Sequence, residues 1–199
     1  MAITAAQVRE LRDMTDAPMM DCKKALTETG GDIQKAVDWL RERGVSKAAK
    51  KSGRDMTEGR VDSYIHTNGK VGVLLEMQCE TDFCAKNDAF VEVARDICMH
   101  IAAADPAPIT VSVEDVPADL LEKEEAIYTE QAKQSGKPEQ FWAKIVDGRM
   151  DKYKKSVALL EQSFVKNPDQ TIGGLVTELV AKLGENIKIR RFTKFRVGE

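Results

Sequence analysis

The spacing of apolar and polar positions divides this chain into a short helical start and a longer mixed remainder. In residues 1–45 the apolar positions recur three times at helical spacing. Val8 and Leu11 give a first helix its inner face; the helix starts at Thr4, with Gln7 three positions on as a capping-box partner. Asp16 can cap a second helix, and Pro18 suits its first turn because that N–H has no partner there in any case. This helix ends near Gly30-Gly31. Asp32 then caps a third, whose Ile33, Ala36, Val37 and Leu40 follow the i, i+3, i+4, i+7 pattern. Gly44 is placed to close the third helix in a left-handed cap. Residues 46–57 change character: Ser46-Lys47-Ala48-Ala49-Lys50-Lys51-Ser52-Gly53 is polar, basic and rich in small residues. It reads as a linker with some helical tendency, the alternative being a basic contact patch.

From residue 58 the period becomes two. Val61–His66 and Val71–Cys79 are strands joined at Asn68-Gly69, the strongest short hairpin signal. In the second strand Val71, Val73, Leu75, Met77 and Cys79 share one face, and Leu74 breaks the rule on the other. A long amphipathic helix carries Phe90, Ala94, Ile97 and Ile101 on one stripe and is stopped by Pro106 and Pro108. Ile109–Val113 reads as a short strand. Helices follow over residues 117–134 and 138–155, divided by Ser135-Gly136-Lys137-Pro138, and another from Thr171 to Leu183 ends at Gly184. Ile187–Val197 is a closing strand. Its Ile187, Ile189, Phe195 and Val197 share one parity that Arg191 and Thr193 interrupt, as a bulge or a partner-facing edge would. Strands followed by runs of helices predict an α+β fold with an antiparallel sheet, not a doubly wound one. The expected organisation is a three-helix module at 1–45, a basic linker at 46–57 and an α+β core at 58–199.

Composition narrows the function classes. A net charge of −3 argues against a general nucleic-acid binder, which needs an excess of Lys and Arg. The basic clusters at Lys47–Arg54 and Lys188–Arg196, and the acidic run Glu122, Glu124, Glu125, read as solvated faces. No apolar run approaches the ~18 residues that span a bilayer, and no basic start leads into an apolar stretch, so a cytoplasmic protein is expected. Cys22, Cys79, Cys84 and Cys98 lack C-x-x-C spacing and read as buried, reduced thiols. A zinc site is not expected, because Cys79 and Cys84 are too loosely spaced for a knuckle and His66 and His100 offer no partner motif. No Gly-rich phosphate loop occurs, so no cofactor and no nucleotide site of the chain's own is expected.

Three motifs carry more than core packing. Met19-Met20 are adjacent on a helix, so both cannot face one core, and methionine suits adaptable binding surfaces. Thr81-Asp82-Phe83-Cys84-Ala85-Lys86-Asn87 can be read as a helix start: Thr81 as cap, Asp82 favouring the dipole, Phe83 anchored in the core. Leu183-Gly184-Glu185-Asn186-Ile187 introduces the last strand, which by itself reads as a charged edge.

Together these segments resemble the bacterial translation elongation factor Ts family, with anchors at the start, middle and end of the chain. Leu11-Arg12, Ala17 and Met19-Met20-Asp21-Cys22-Lys23-Lys24-Ala25-Leu26 look like its amino-terminal, ubiquitin-associated-like module, with Asp16-Ala17-Pro18 where the family commonly has Gly-Ala-Gly. The middle motif is similar to the family's Thr-Asp-Phe-Val-Ala-(Lys/Arg)-Asn, with Cys84 in place of valine, and Val197-Gly198-Glu199 matches its closing residues.

The resemblance implies a guanine-nucleotide exchange factor for elongation factor Tu, acting on GDP and magnesium held by that partner. It implies Thr81, Asp82, Phe83 and Cys84 as the segment that disturbs the partner's magnesium site, and Arg12, Met19 and Met20 as contacts to its GTPase domain. Longer family members carry two copies of the core subdomain and an inserted coiled-coil arm. A single copy here implies that a homodimer can supply the second in trans. No direct nucleic-acid or membrane partner and no enzymatic activity are implied. Two other classes remain open at this point. One is a ubiquitin-associated-type adaptor binding a peptide or small domain through residues 1–45. The other is an enzyme drawing on His66, His100 and the carboxylates of 122–125.

Overall fold

The computed structural model describes residues 3–15 and 17–199, with Lys47 described by its backbone alone. The fold is α+β, as the sequence pattern predicts. The elements are α1 (Ala5–Thr15), α2 (Met19–Glu28), α3 (Ile33–Lys51), β1 (Glu58–Ile65), β2 (Val71–Cys79), α4 (Asp82–Ala85) and α5 (Asp88–Ala103). After them come α6 (Ala118–Gln134), α7 (Trp142–Val157), β3 (Ser163–Phe164), β4 (Asn167–Thr171), α8 (Ile172–Leu183) and β5 (Ile187–Arg196). One sheet has the order β1-β2-β5, and β3 pairs with β4 antiparallel in a second. Contacts group the chain into two units. The first is Met1–Arg60, Met77–Val93 and Leu175–Lys188; the second is Val61–Glu76, Ala94–Gly174 and Ile189–Glu199.

In the first unit the helix starts follow the sequence signals. Gln7 Oε1 accepts from the Thr4 amide and hydroxyl, both at 3.0 Å, while Thr4 Oγ1 accepts from the Gln7 amide at 3.3 Å. The Asp32 carboxylate accepts from the Lys35 amide at 3.0 Å and so caps α3. α2 begins after Pro18, whose carbonyl accepts from the Asp21 and Cys22 amides; the expected Asp16 cap lies outside the described residues. Val8, Leu11, Cys22, Ala25, Leu26 and Ala36 are buried together, with Ile33, Val37 and Leu40 packed against them.

The third helix does not stop at Gly44. α3 runs through to Lys51, and Gly44 is a buried position in its interior, not a left-handed cap. Two effects outweigh the ~1 kcal/mol that glycine costs in a helix. The residues after it, Ala48-Ala49-Lys50-Lys51, are strong helix formers. Gly44 also faces α8 closely: a Cβ there would sit 3.5 Å from the Cβ of Ala181. Residues 46–51 are therefore helix, and the non-helical connection to β1 is confined to the residues beyond them.

The β1–β2 reversal is where Asn68-Gly69 places it. The His66 amide donates to the Val71 carbonyl, Gly69 N–H donates back to His66, and Gly69 adopts φ +66°. On β2, Val73, Leu75, Met77 and Cys79 are buried and Leu74 is exposed, so the period-two reading holds. On α5, Phe90, Ala94, Ile97 and Ile101 are all buried. In the second unit α6 and α7 pack on each other through Ala132, Val146 and Met150, with Leu121, Tyr128, Trp142 and Ile145 around them. α8 ends at Gly184 with φ +80°, the left-handed closure expected of a glycine in that place.

Two strand expectations need correction. Ile109–Val113 is not a strand: Thr110 makes a single bridge to Ala158, and the chain then turns into a short 3-10 segment, Val113–Asp115, capped by Ser112. Pro106 and Pro108 just before it remove two amide donors, and a ladder cannot propagate there. On β5, Ile187 and Ile189 are buried but Phe195 is exposed, as is Val197 just past the strand's end, while Phe192 and Lys194 turn partly inward. The consecutive exposed pair Arg190-Arg191 marks the change of face, as a bulge produces. The β3–β4 hairpin has no counterpart in the sequence reading: β3 is two residues long and β4 contains Pro168, so neither shows alternation.

Candidate partner-binding site

β2 ends at Cys79, and the chain turns sharply through Glu80 into α4. Thr81 is the N-cap: its backbone is extended (φ −129°, ψ 154°) and its Oγ1 accepts from the Cys84 amide at 3.2 Å. Asn87 Oδ1 accepts from the Ala89 amide at 3.0 Å and restarts the chain as α5. The motif is thus a single helical turn set between two caps, not the first turn of the long helix.

This geometry sends the four side chains to different places. Cys84 is buried. Phe83 is 80% exposed, so it does not anchor the turn in the core. Asp82 is also exposed and pairs with Lys86 Nζ at 2.7 Å, a bond that holds its carboxyl below the usual carboxylate range. The ring thus stands in solvent beside a charged pair and contributes little to folding.

What holds the turn is a residue that sequence reasoning did not connect to it. The Glu185 carboxylate accepts from the Glu80 amide at 3.1 Å, from the Thr81 amide at 3.0 Å and from Thr81 Oγ1 at 2.6 Å. The neighbouring Glu80 carboxylate accepts from the Asn186 amide at 2.7 Å and from Arg54 at 3.3 Å. The Asn186 amide is the largest reason that Glu80 titrates below its ordinary value, with Arg54 adding to it. Asn186 Nδ2 in turn donates to the Arg54 carbonyl at 2.9 Å, and Lys188 Nζ to the Ser52 carbonyl at 2.9 Å. The segment 185–188 therefore ties the Thr81 turn to the end of α3. The one available signal was the Gly-Glu-Asn-Ile element, which pattern alone reads only as the entry to a strand.

The amino-terminal candidates are at the surface. Arg12 is exposed in the last turn of α1, Met19 is 41% and Met20 74% exposed at the start of α2, and Met14, which the sequence reading passed over, is exposed as well. Both adjacent methionines face solvent, where the spacing argument required only one to do so.

His66 and His100 each have a side-chain partner. His66 Nδ1 lies 3.0 Å from the Tyr64 hydroxyl on the surface, and Glu122 and Glu125 are exposed on α6. His100 is buried, its Nδ1 accepting from the Val165 amide at 3.3 Å and its Nε2 facing Gln162 Oε1 at 3.0 Å. That pattern fits a neutral imidazole, and burial is the main cause that pushes its pKa below the ordinary value. A base with a lowered folded pKa binds fewer protons folded than unfolded. Its contribution to stability is therefore full above the unfolded value of 6.5 and is lost as the pH falls from there toward the folded value. Urea midpoints measured at about pH 7.5 and about pH 5.5 should fall more steeply for the natural chain than for His100→Gln. Equal slopes would remove His100 from the acid response.

Comparisons with known proteins agree with the motifs. The family model described as elongation factor TS matches residues 2–199. The elongation factor Ts of Geobacter sp. strain M21 is 57% identical over 199 residues, covering all of this chain and 91% of its own length. That of Desulfotalea psychrophila is 56% identical over 198 residues, covering both chains in full, and that of Desulfosudis oleivorans is 56% identical over 197. With one family model spanning the chain and relatives well above half identical over its full length, this chain belongs to the elongation factor Ts family of translation elongation factors.

Proposed function

We propose that this chain is a guanine-nucleotide exchange factor for elongation factor Tu, binding the GDP-loaded partner and promoting GDP release so that GTP can bind. The observation that carries this reading is the outward-facing Phe83 on a turn held by Thr81 and Glu185. The GDP and the magnesium ion belong to the partner. Exchange is then a coupling effect: a factor that binds the empty partner more tightly than the loaded one weakens GDP by the same ratio. Phe83 is the wedge and Asp82 disturbs the charge and hydrogen bonding around the partner's magnesium, while Thr81 and Cys84 keep the turn in shape. Arg12, Met19 and Met20, in the 1–45 module, grip the GTPase domain, and the 58–199 body carries the turn. No covalent bond is made or broken, so the chain acts as an exchange factor and not as an enzyme. Its place of work is the cytoplasm, consistent with there being no helix among the described residues long and apolar enough to cross a membrane.

The test is release of a fluorescent GDP analogue from purified elongation factor Tu, followed by stopped flow with and without this chain. Large acceleration at substoichiometric amounts is the expected result. No acceleration with a folded chain and an active partner would refute the reading.

We further propose that a second copy of the chain supplies the missing core subdomain. Val61, Ile65, Leu74, Phe195 and Val197 are all exposed on the three-stranded sheet, and Ile65, Leu74, Phe195 and Val197 line a shallow groove of about 450 Å³. A contiguous apolar sheet face of this kind marks an association surface. Sedimentation should show a dimer at micromolar concentration that Phe195→Glu converts to a monomer; a fully active monomeric natural chain would exclude it.

A further inference from the structure

Among the described residues there is one place where three groups of metal-ligand type converge. The sulfurs of Cys79 and Cys84 and a carboxylate oxygen of Glu185 all lie within 4.8 Å of one another. The sequence spacing of Cys79 and Cys84 gave no reason to expect this. The third ligand comes from the far end of the chain, and the turn through Glu80 and Thr81 folds Cys84 back over the end of β2.

We propose that Cys79, Cys84 and Glu185 form a binding site for a thiophilic divalent cation of the zinc class. The donor set is two sulfurs and one oxygen, which suits a d¹⁰ ion and excludes the hard cations that need oxygen alone. The spacing is close to what such an ion requires. Zn–S bonds of about 2.3 Å at tetrahedral angles put two sulfurs roughly 3.8 Å apart, inside the 4.8 Å that bounds the separations here. They are also arranged as coordination requires. The turn through Glu80 and Thr81 brings the Cys84 sulfur to both of its partners. Both thiols are buried, 0% and 3% exposed, while Glu185 is half-buried and gives the site a side open to solvent and to a water in the fourth position.

The outer shell is in place as well. The Glu185 carboxylate is oriented by the Glu80 and Thr81 amides and the Thr81 hydroxyl, whereas the Cys79 S–H, which donates to the Thr81 carbonyl at 3.2 Å, gives up that bond when it loses its proton. The three bonds to Glu185 hold that ligand in position before the ion arrives.

Binding is an exchange of protons for metal. Each thiol loses its proton to solvent and each sulfur forms one bond to the cation, so two protons leave for every divalent ion bound, with no change of oxidation state. Because both thiols must lose a proton to ligate, affinity rises with pH. A loaded site would pin the end of β2, the Thr81 cap and the segment after α8 to one another. It would stabilise the turn that carries Phe83.

The probe is cadmium, whose bonds to thiolate give an ultraviolet charge-transfer band. The reduced full-length chain is titrated with Cd²⁺, and zinc is then added as competitor. The expected result is a band that saturates at one Cd²⁺ per chain, release of two protons, displacement by zinc, and loss of the band in Cys84→Val. Valine is close to cysteine in size, so this variant keeps the packing, and its melting profile verifies the fold. Glu185→Gln should keep the two-thiolate band but weaken the affinity. No band in the natural chain, or an equal band in Cys84→Val that Cys22 or Cys98 would then have to supply, overturns the assignment. None of these readouts involves nucleotide exchange, so the site and the exchange reading stand or fall separately.

Discussion

Phe83→Ala is expected to abolish most of the acceleration of GDP release while leaving the melting temperature unchanged. The two halves of that statement come from one observation. With 80% of its surface exposed, the ring fills no core space, and its removal leaves no cavity. Substitutions at such positions change stability by about 0.5 kcal/mol or less. At an interface, by contrast, a buried aromatic anchor is worth about 2–4 kcal/mol, or roughly 30- to 700-fold in rate at a factor of ten per ~1.4 kcal/mol. Stopped-flow traces over a range of factor concentrations separate weaker binding from a lower maximal rate. A wedge acts on the maximal rate; a simple contact acts on the concentration dependence. Phe83→Leu keeps apolar bulk without the rigid ring and should fall between the two. Natural exchange in Phe83→Ala would falsify the wedge while leaving family membership untouched.

Glu185→Ala should lower stability and exchange together. Its carboxylate is the shared acceptor for three donors on Glu80 and Thr81, the shortest of those bonds being 2.6 Å. A hydrogen bond to a charged group contributes about 1.5–3 kcal/mol, less where water can replace it, as it can on the exposed side of this turn. The Thr81 turn would then sample other conformations and Phe83 would lose its fixed direction. Two readouts distinguish this from general destabilisation. Amide exchange at Glu80 and Thr81 should accelerate far more than at Leu75 or Ile97 in the buried core. Glu185→Gln retains one acceptor oxygen but turns an N–H₂ toward the remaining donors, so it should restore part of the stability and less of the activity. Unchanged amide protection in Glu185→Ala would show that Thr81 is held by its own cap alone.

The contrast between these two residues shows how much of the site was legible in the sequence. Thr81 as an N-cap followed from its position after an alternating strand, and its hydroxyl does accept from the Cys84 amide. Asp32 and the Thr4–Gln7 pair were legible for the same reason: a cap is a relation among residues three apart. The direction of Phe83 was not legible. A phenylalanine in the first turn of a helix can face a core or solvent, and which it does depends on where the helix lies. Here α4 stops after four residues, so the ring never meets the stripe that buries Phe90. Glu185 was visible as part of a motif but not as the support of a turn far away in the chain.

The sequence by itself determined the periodic elements: the odd-numbered face of β2, the stripe on α5, the three helices at the start, the reversal at Asn68-Gly69 and the α+β class. Each depends on a repeat of two or 3.6 residues or on a local hydrogen bond, and local physics suffices to set it. Only the tertiary structure decided that α3 runs through Gly44, because a close α8 and a good helical run outweigh one glycine. It alone turned Phe195 and Val197 outward past Arg190-Arg191 and brought Glu185 to Thr81, Cys79 and Cys84. These are relations between residues distant in the chain, fixed by which buried faces pack together, and no window of neighbouring residues contains them.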